Sequence, residues 1–232
     1  MRRMVVATLL AALPLIGFGV PSVGAEDEPD SCGGQAVTIH GTNGPDTILG
    51  TAGPDVIDTG RGDDSVDASD GNDVVCTGPG NDVGEGGDGD DVVEGGPGDD
   101  ILDGGVLGCC GPGNGGDDVV SGGSGDDTVF ASDFGDNTLS GGAGDDLVQG
   151  FVGNDTASGG AGNDHVGGFV GNDSLSGGAG TDTLDGFDGD DSLAGGGEDD
   201  SLDGGTGTDH LAGGGGTDTC VNGESNTSCE AP

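Results

Sequence analysis

The chain of 232 residues has no lysine, no tryptophan and no tyrosine, and its only strong bases are Arg2, Arg3 and Arg61. Without lysine there is no P-loop, whose ammonium group must reach the phosphates. Set against 45 acidic residues, three arginines give a formal charge of −42. That leaves no basic surface for nucleic acid or for an anionic membrane. The aromatic residues are six phenylalanines, and they assemble no aromatic cleft around the many paired acids, as glycoside hydrolysis would require. Long apolar runs are absent after the first 25 residues. Glycine is abundant, with 59 copies, but no Gly-X-Y triplet runs through them, which excludes collagen. Composition alone would favour disorder. The order of the residues argues otherwise.

Residues 1–25 read as a secretory signal peptide. Arg2 and Arg3 form the basic start, Met4 to Val20 the apolar stretch, and Val23-Gly24-Ala25 precedes the expected cut. An uncleaved anchor fits less well, because Pro14, Gly17 and Gly19 interrupt a run that is marginal for about 30 Å of hydrocarbon. Removal leaves a chain starting at Glu26 whose one strong base is Arg61. Export to an oxidising environment accounts for the even number of cysteines: Cys32, Cys76, Cys109, Cys110, Cys220 and Cys229.

A nine-residue register runs through the rest. Aspartate recurs at Asp46, Asp55, Asp64, Asp73, Asp82, Asp91 and Asp100, then at Asp118 and Asp127. After one extra residue around Phe134, which puts Asn137 in the aspartate place, it continues through Asp146, Asp155, Asp164, Asp173, Asp182, Asp191, Asp200, Asp209 and Asp218. Counting the degenerate unit 104–112, twenty units lie between Gly41 and Val221, and eighteen have Asp at their sixth position. Four early positions rich in glycine suit a tight turn with inward carbonyls. The last three residues form a short strand whose middle side chain faces one way and whose neighbours face the other. That middle column is large and aliphatic in sixteen units, from Ile48 to Leu211, the exceptions being Gly84, Gly111, Ala157 and Cys220. One turn and one strand make half a coil, so units i and i+2 stack. The fold class expected is all-β, a parallel β-roll of about twenty half-coils. Its core is one row of aliphatic side chains deep, and its edges stack carboxylates at about 4.8 Å spacing. A hard divalent cation between stacked turns would relieve both weaknesses, because Ca2+ accepts six to eight carboxylate and carbonyl oxygens in flexible geometry. No EF-hand loop is present.

Units such as Gly141-Gly142-Ala143-Gly144-Asp145-Asp146-Leu147-Val148-Gln149 resemble G-G-x-G-x-D-x-U-x, the hemolysin-type (RTX) calcium-binding nonapeptide, where U is a large aliphatic residue. The resemblance covers nearly all of the chain after residue 40. It implies ions held between turns i and i+2 by carbonyls at positions two and four and by the position-six Asp of each turn. Asp155 and Asp173 would then share an ion with the carbonyls of Phe151 and Gly153, and Asp164 would pair with Asp182 on the opposite edge. All eighteen position-six aspartates are the expected metal ligands. The toxin and protease activities that accompany such repeats in the family are not carried over.

The division expected is signal peptide 1–25, an N-terminal segment with a leader strand 26–40, the array 41–221 with irregularities at 104–112 and near 131–140, and a cap tail 222–232. Residues 104–112, with Cys109 in the aspartate place and Gly111 in the aliphatic one, should weaken the sites shared with Asp91 and Asp127. Glu198 in a glycine place and Asn137 are further faults, and the three should split the array into shorter blocks, by decay or as a bend. A Cys220–Cys229 disulfide would fold the tail over the open end of the roll. Cys32–Cys76 is the matching pair at the other end, where Ile39 sits in the aliphatic register, but only if the segment bearing Cys32 leaves the coil. Cys109 and Cys110 can pair with each other or between molecules. Phe151, Phe169 and Phe187 recur every 18 residues. They form either a ladder stabilising its own edge or a docking strip for protein or polysaccharide, with Phe134 as a candidate continuation. Val56, Val74 and Val92 form an outward column ascribed to strand propensity. His165 and His210 fall on opposite sheets and His40 in the leader strand, so no triad or zinc site follows. The sequence therefore reads as a secreted, non-enzymatic protein that folds on binding several Ca2+ ions. The alternative is a cell-surface or matrix adhesion protein in which calcium is only structural.

Overall fold

A computed structural model describes residues 31–105, 116–131 and 134–229. The expected signal peptide, Cys109 and Cys110 lie outside the described residues. Each repeat makes a glycine-rich turn and then a strand. Consecutive strands alternate between two facing parallel sheets of ten and eleven strands, and no helix occurs among the described residues. The result is a parallel β-solenoid of about ten turns, in keeping with the expected β-roll.

The aliphatic column becomes the core. Val148, Val166, Leu184 and Leu202 pair in register in one sheet, and Ala157, Leu175, Leu193 and Leu211 in the other. All eight are at most 2% exposed. Burying each of the larger ones is worth about 1.5–3 kcal/mol, and a single file of them joins all the coils. Hydrogen bonding continues through the turns: Thr183 N–H donates to the Asp164 carbonyl at 2.9 Å and Gly171 N–H to the Asp188 carbonyl at 2.9 Å. Close stacking explains glycine at position four. Gly171 has φ 149°, and a Cβ there would overlap the Gly153 carbonyl of the coil before. Glu198 takes the same place with φ 78° and keeps the backbone path.

Val92 pairs with Val119 and Ile101 with Thr128, 27 residues apart instead of 18, so the ladder crosses the 104–112 unit without a rung for it. Gly104 and Gly105 lie before this step and Gly116, Asp117 and Asp118 after it, and the described residues form nineteen half-coils, in keeping with the expected number of about twenty. The faults do not split the array, because the register also runs through Asn137 and Glu198; the extra residue before Asn137 only lengthens the spacing to 19, as in Val120 with Leu139 and Val129 with Val148. The aromatic ladder continues to Phe130, not Phe134. Phe151 and Phe169 stack at 5.0 Å, Phe169 and Phe187 at 4.5 Å, and Phe130 meets Phe151 edge-on at 6.0 Å. Phe134 instead bridges Val152, one place further along the turn.

Val56, Val74 and Val92 also differ from expectation. Strand propensity does not account for them, because they lie under an antiparallel hairpin formed by Ser31–Cys32 and Gln35–Ala36. Cys32, Val56 and Val74 are buried together, with Val37, Cys76 and Val92 packed around them. The segment carrying Cys32 thus leaves the coil and lies across its outer face, where it forms the Cys32–Cys76 disulfide with Cα atoms 5.8 Å apart. Replacing both cysteines by serine (Cys32→Ser with Cys76→Ser) should release the hairpin and cost about 2–4 kcal/mol. Guanidinium unfolding of the oxidised protein in calcium measures this, and an unchanged midpoint would contradict the assignment.

Candidate metal centre

Each six-residue turn ends on its position-six residue, and the coil repeat lines these residues up in two columns. One edge carries Asp46, Asp64, Asp82, Asp100, Asp127, Asp146, Asp164, Asp182, Asp200 and Asp218; the other carries Asp55, Asp73, Asp91, Asp118, Asn137, Asp155, Asp173, Asp191 and Asp209. All but Asp46 are buried. In both columns the backbone N–H of one residue donates to the side-chain Oδ1 of the next coil: Asp155 to Asp173 at 2.8 Å, and Asp164 to Asp182 at 2.9 Å. The pairs expected to share an ion are therefore stacked neighbours. Asp91 stacks on Asp118, and Asp127 lies between Asp100 and Asp146, so these residues have stacked partners across the 104–112 unit, where the sequence led to the expectation of none.

The second carboxylate oxygen sets the chemistry. In Asp64, Asp73, Asp82, Asp100, Asp127, Asp146, Asp155, Asp164, Asp173, Asp182, Asp191, Asp200 and Asp209, Oδ2 is buried and has no hydrogen-bond partner. A buried charged acceptor without a partner is costly, and here thirteen recur at coil spacing. Where position one is glycine the Asp side chain folds across it. A Cβ on Gly159 would collide with Asp164, and one on Gly177 with Asp182. Among the described residues no three His, Cys, Asp or Glu side chains converge. Each gap between stacked aspartates thus offers two carboxylates, the gaps beside Asn137 only one, and turn carbonyls are the further protein oxygens close by. An oxygen-only set of this kind suits a hard cation such as Ca2+ and not zinc, which takes sulfur and nitrogen ligands.

Electrostatics point the same way. Burial pushes the Asp100 and Asp155 carboxyls up to about 7, and those of Asp127, Asp164, Asp173 and Asp200 to about 6. The accepted N–H offsets part of this rise, while stacked and adjacent carboxylates add to it. Asp73, Asp82, Asp146, Asp182 and Asp191 are raised by the same burial.

Three places in the columns differ. Thr42 donates its N–H (2.6 Å) and hydroxyl (2.9 Å) to Asp46 Oδ2, and Thr51 does the same for Asp55 at 2.7 and 2.9 Å. In these opening coils protein donors satisfy the oxygen that is left over further along. Asn137 accepts from Asp118 N–H at 2.9 Å and gives its own amide to Gly135 O and Asp155 Oδ1, so hydrogen bonds stand in for the lost charge.

A second ladder, at position five, was not anticipated. Asp145 N–H donates to Asp126 Oδ1, Asn163 N–H to Asp145 Oδ1 and Thr181 N–H to Asn163 Oδ1, at 2.8–3.0 Å. The opposite edge repeats this through Asp117, Asp136, Asn154 and Asn172. The signal was present as a column that, outside 104–112, is always Asp, Asn or Thr from Asp63 to Thr217. Pro45 and Pro54 occupy the same place in the first coil of each edge, where no earlier coil offers an acceptor and proline has no N–H to leave unpaired. His165 pairs with Asp185 at 3.1 Å on the outer face of one sheet, while His210 lies in the other.

A sequence model of the RTX calcium-binding nonapeptide repeat (4 copies) matches residues 40–75, 77–106, 113–134, 132–166, 167–202 and 185–220. The matched segments omit residues 107–112, inside the unit that the ladder crosses. Comparison with curated proteins found no match.

Raised carboxyl pKa values give the metal-free coil a defined pH dependence. An unfolded aspartate titrates near ~3.9, so the folded coil takes up protons, and their contribution to stability is lost as pH rises through 6–7. In chelator, β-structure read by circular dichroism should be greater at pH 5 than at pH 8. Equal or reversed signals would contradict the burial of these carboxylates.

Proposed function

The chain belongs to the RTX calcium-binding nonapeptide repeat family, and from that premise we propose that it is a secreted, non-enzymatic calcium-binding protein whose coil forms as Ca2+ binds. The observation that carries this reading is the row of thirteen buried, unpartnered Oδ2 atoms. With Asp91, Asp118 and Asp218 of the same columns, these aspartates are the proposed ligands, and turn carbonyls complete each set. Bound calcium supplies positive charge between stacked carboxylates. The chain's residues supply the spacing, the oxygen donors and the exclusion of water. Asp46 and Asp55 remain in the columns, but Thr42 and Thr51 already satisfy them, so they bind calcium least. Because the donors are brought together only by coiling, calcium binds the folded state selectively and its binding energy becomes folding energy. The millimolar range of extracellular calcium modules fits such a site.

Two disulfides, Cys32–Cys76 and Cys220–Cys229, support an oxidising destination, as does the reading of residues 1–25 as a signal peptide. The absence of a catalytic role is supported by the commitment of the paired acids to the stacks and by the separation of His165 from His210. Among the described residues the aromatic ladder gives the adhesion alternative little support. In the aromatic ladder the faces that a sugar ring would need are largely covered by neighbouring rings. Isothermal calorimetry separates the proposed ligands from the self-satisfied ones. Asp164→Asn should lower the number of calcium ions bound, and Asp46→Asn should leave it unchanged. Equal isotherms for wild type and Asp164→Asn would overturn the assignment.

A further inference from the structure

We propose that the C-terminal tail builds one more cation site from outside the nonapeptide motif, on Asp209 and Glu224, and that the Cys220–Cys229 disulfide holds it in place. Every earlier position-six N–H on this edge donates to the side chain of a position-six residue 18, 19 or 27 residues ahead. Asp209 has no such aspartate ahead of it. Its N–H donates instead to Glu224 Oε2 at 2.6 Å, only 15 residues on. The Asp209 carbonyl accepts the N–H groups of Glu224 and Ser225, both at 3.1 Å. Ser225–Thr227 then adds to the sheet, parallel to His210–Ala212.

The tail thus reproduces a coil with a turn shortened from six residues to three, Asn222-Gly223-Glu224. Asn222, at φ 54°, brings its carbonyl over Gly204 much as Gly204 brings its own over Gly186. The extra methylene of glutamate makes up the reach that the missing backbone removes. Asp209 is 1% exposed and its Oδ2 is unpartnered. It lies against Gly204, where a Cβ would sit 2.7 Å from it. A buried carboxylate, that of Asp209, an exposed one, that of Glu224, and turn carbonyls therefore meet here, and the ligand class is the same as in the array, a hard divalent cation. Glu224 lies inside the nine-residue span that the Cys220–Cys229 disulfide closes, with Cys220 buried in the core file and Cys229 packed against it. Without that closure nothing covalent holds the shortened turn over Asp209.

This inference rests on the proposed calcium reading of the array, and its test separates the two. Native mass spectrometry of the oxidised protein at a calcium concentration that saturates the wild type counts the ions, with circular dichroism on the same samples. Glu224→Ala should carry one ion fewer at unchanged β-signal. Glu224→Gln, which keeps an acceptor for Asp209 N–H but not the charge, should lose the same ion. Cys220→Ser with Cys229→Ser should lose it as well, whereas Glu94→Ala, an exposed acid on a sheet face, should not. A full ion count in both Glu224 variants beside a calcium-loaded wild type would overturn this site alone, as would loss of the β-signal in both. A wild type that binds no calcium would overturn the array reading and this site together.

Discussion

The stacking of like-charged carboxylates, buried and one coil apart, is the constraint on which the rest of the structure depends. A solenoid with a nine-residue half-coil must place its sixth residue directly over the sixth residue two units earlier. When that residue is aspartate, each edge becomes a column of buried charge. One oxygen of each carboxylate is satisfied from within, by the N–H of the neighbouring coil, and this sets both the vertical spacing and the register. In thirteen of them the other oxygen is buried without a partner. The aliphatic file is too thin to offset many such groups, and on the proposed reading protons or cations in the gaps complete the coil.

The two ends of the array show the same constraint met by different means. At the start, Thr42 and Thr51 supply donors to Asp46 and Asp55, and Pro45 and Pro54 remove N–H groups that no earlier coil could satisfy. The hairpin clamped by Cys32–Cys76 covers the outer face of the first coils. In these opening turns a threonine answers the carboxylate oxygen of the position-six aspartate that is left over further along. At the far end Glu224 extends the carboxylate column by one place instead of closing it with donors. The array therefore has a self-satisfied beginning and a charged end.

Much of this was legible in the sequence because a strict period converts position into geometry. The sixth-position columns, the inward aliphatic file, the stacking of Asp155 on Asp173 and the need for Cys32 to leave the coil all follow from counting. What escaped was whatever breaks or supplements the count. The 104–112 unit keeps the nine-residue length, so length alone suggested a rung, whereas the ladder passes from Asp91 straight to Asp118. Phe130 was overlooked because it sits at position nine of one repeat while its partner Phe151 sits at position two of another. The Val56 column looked solvent-facing because its cover comes from residues before the array. Glu224 was invisible because its turn is three residues long, and the period can find only turns of full length. The position-five ladder could have been read, since that column never holds an apolar residue from Asp63 to Thr217 outside the irregular unit.

The central claim is that the carboxylate columns make folding conditional on calcium. Far-ultraviolet circular dichroism of the oxidised chain at neutral pH, in chelator and then with calcium added to millimolar concentration, tests it most directly. The expected result is a largely unstructured spectrum in chelator, a cooperative gain of β-signal on adding calcium, and its loss on renewed chelation. A β-rich spectrum that is the same with and without calcium would contradict it.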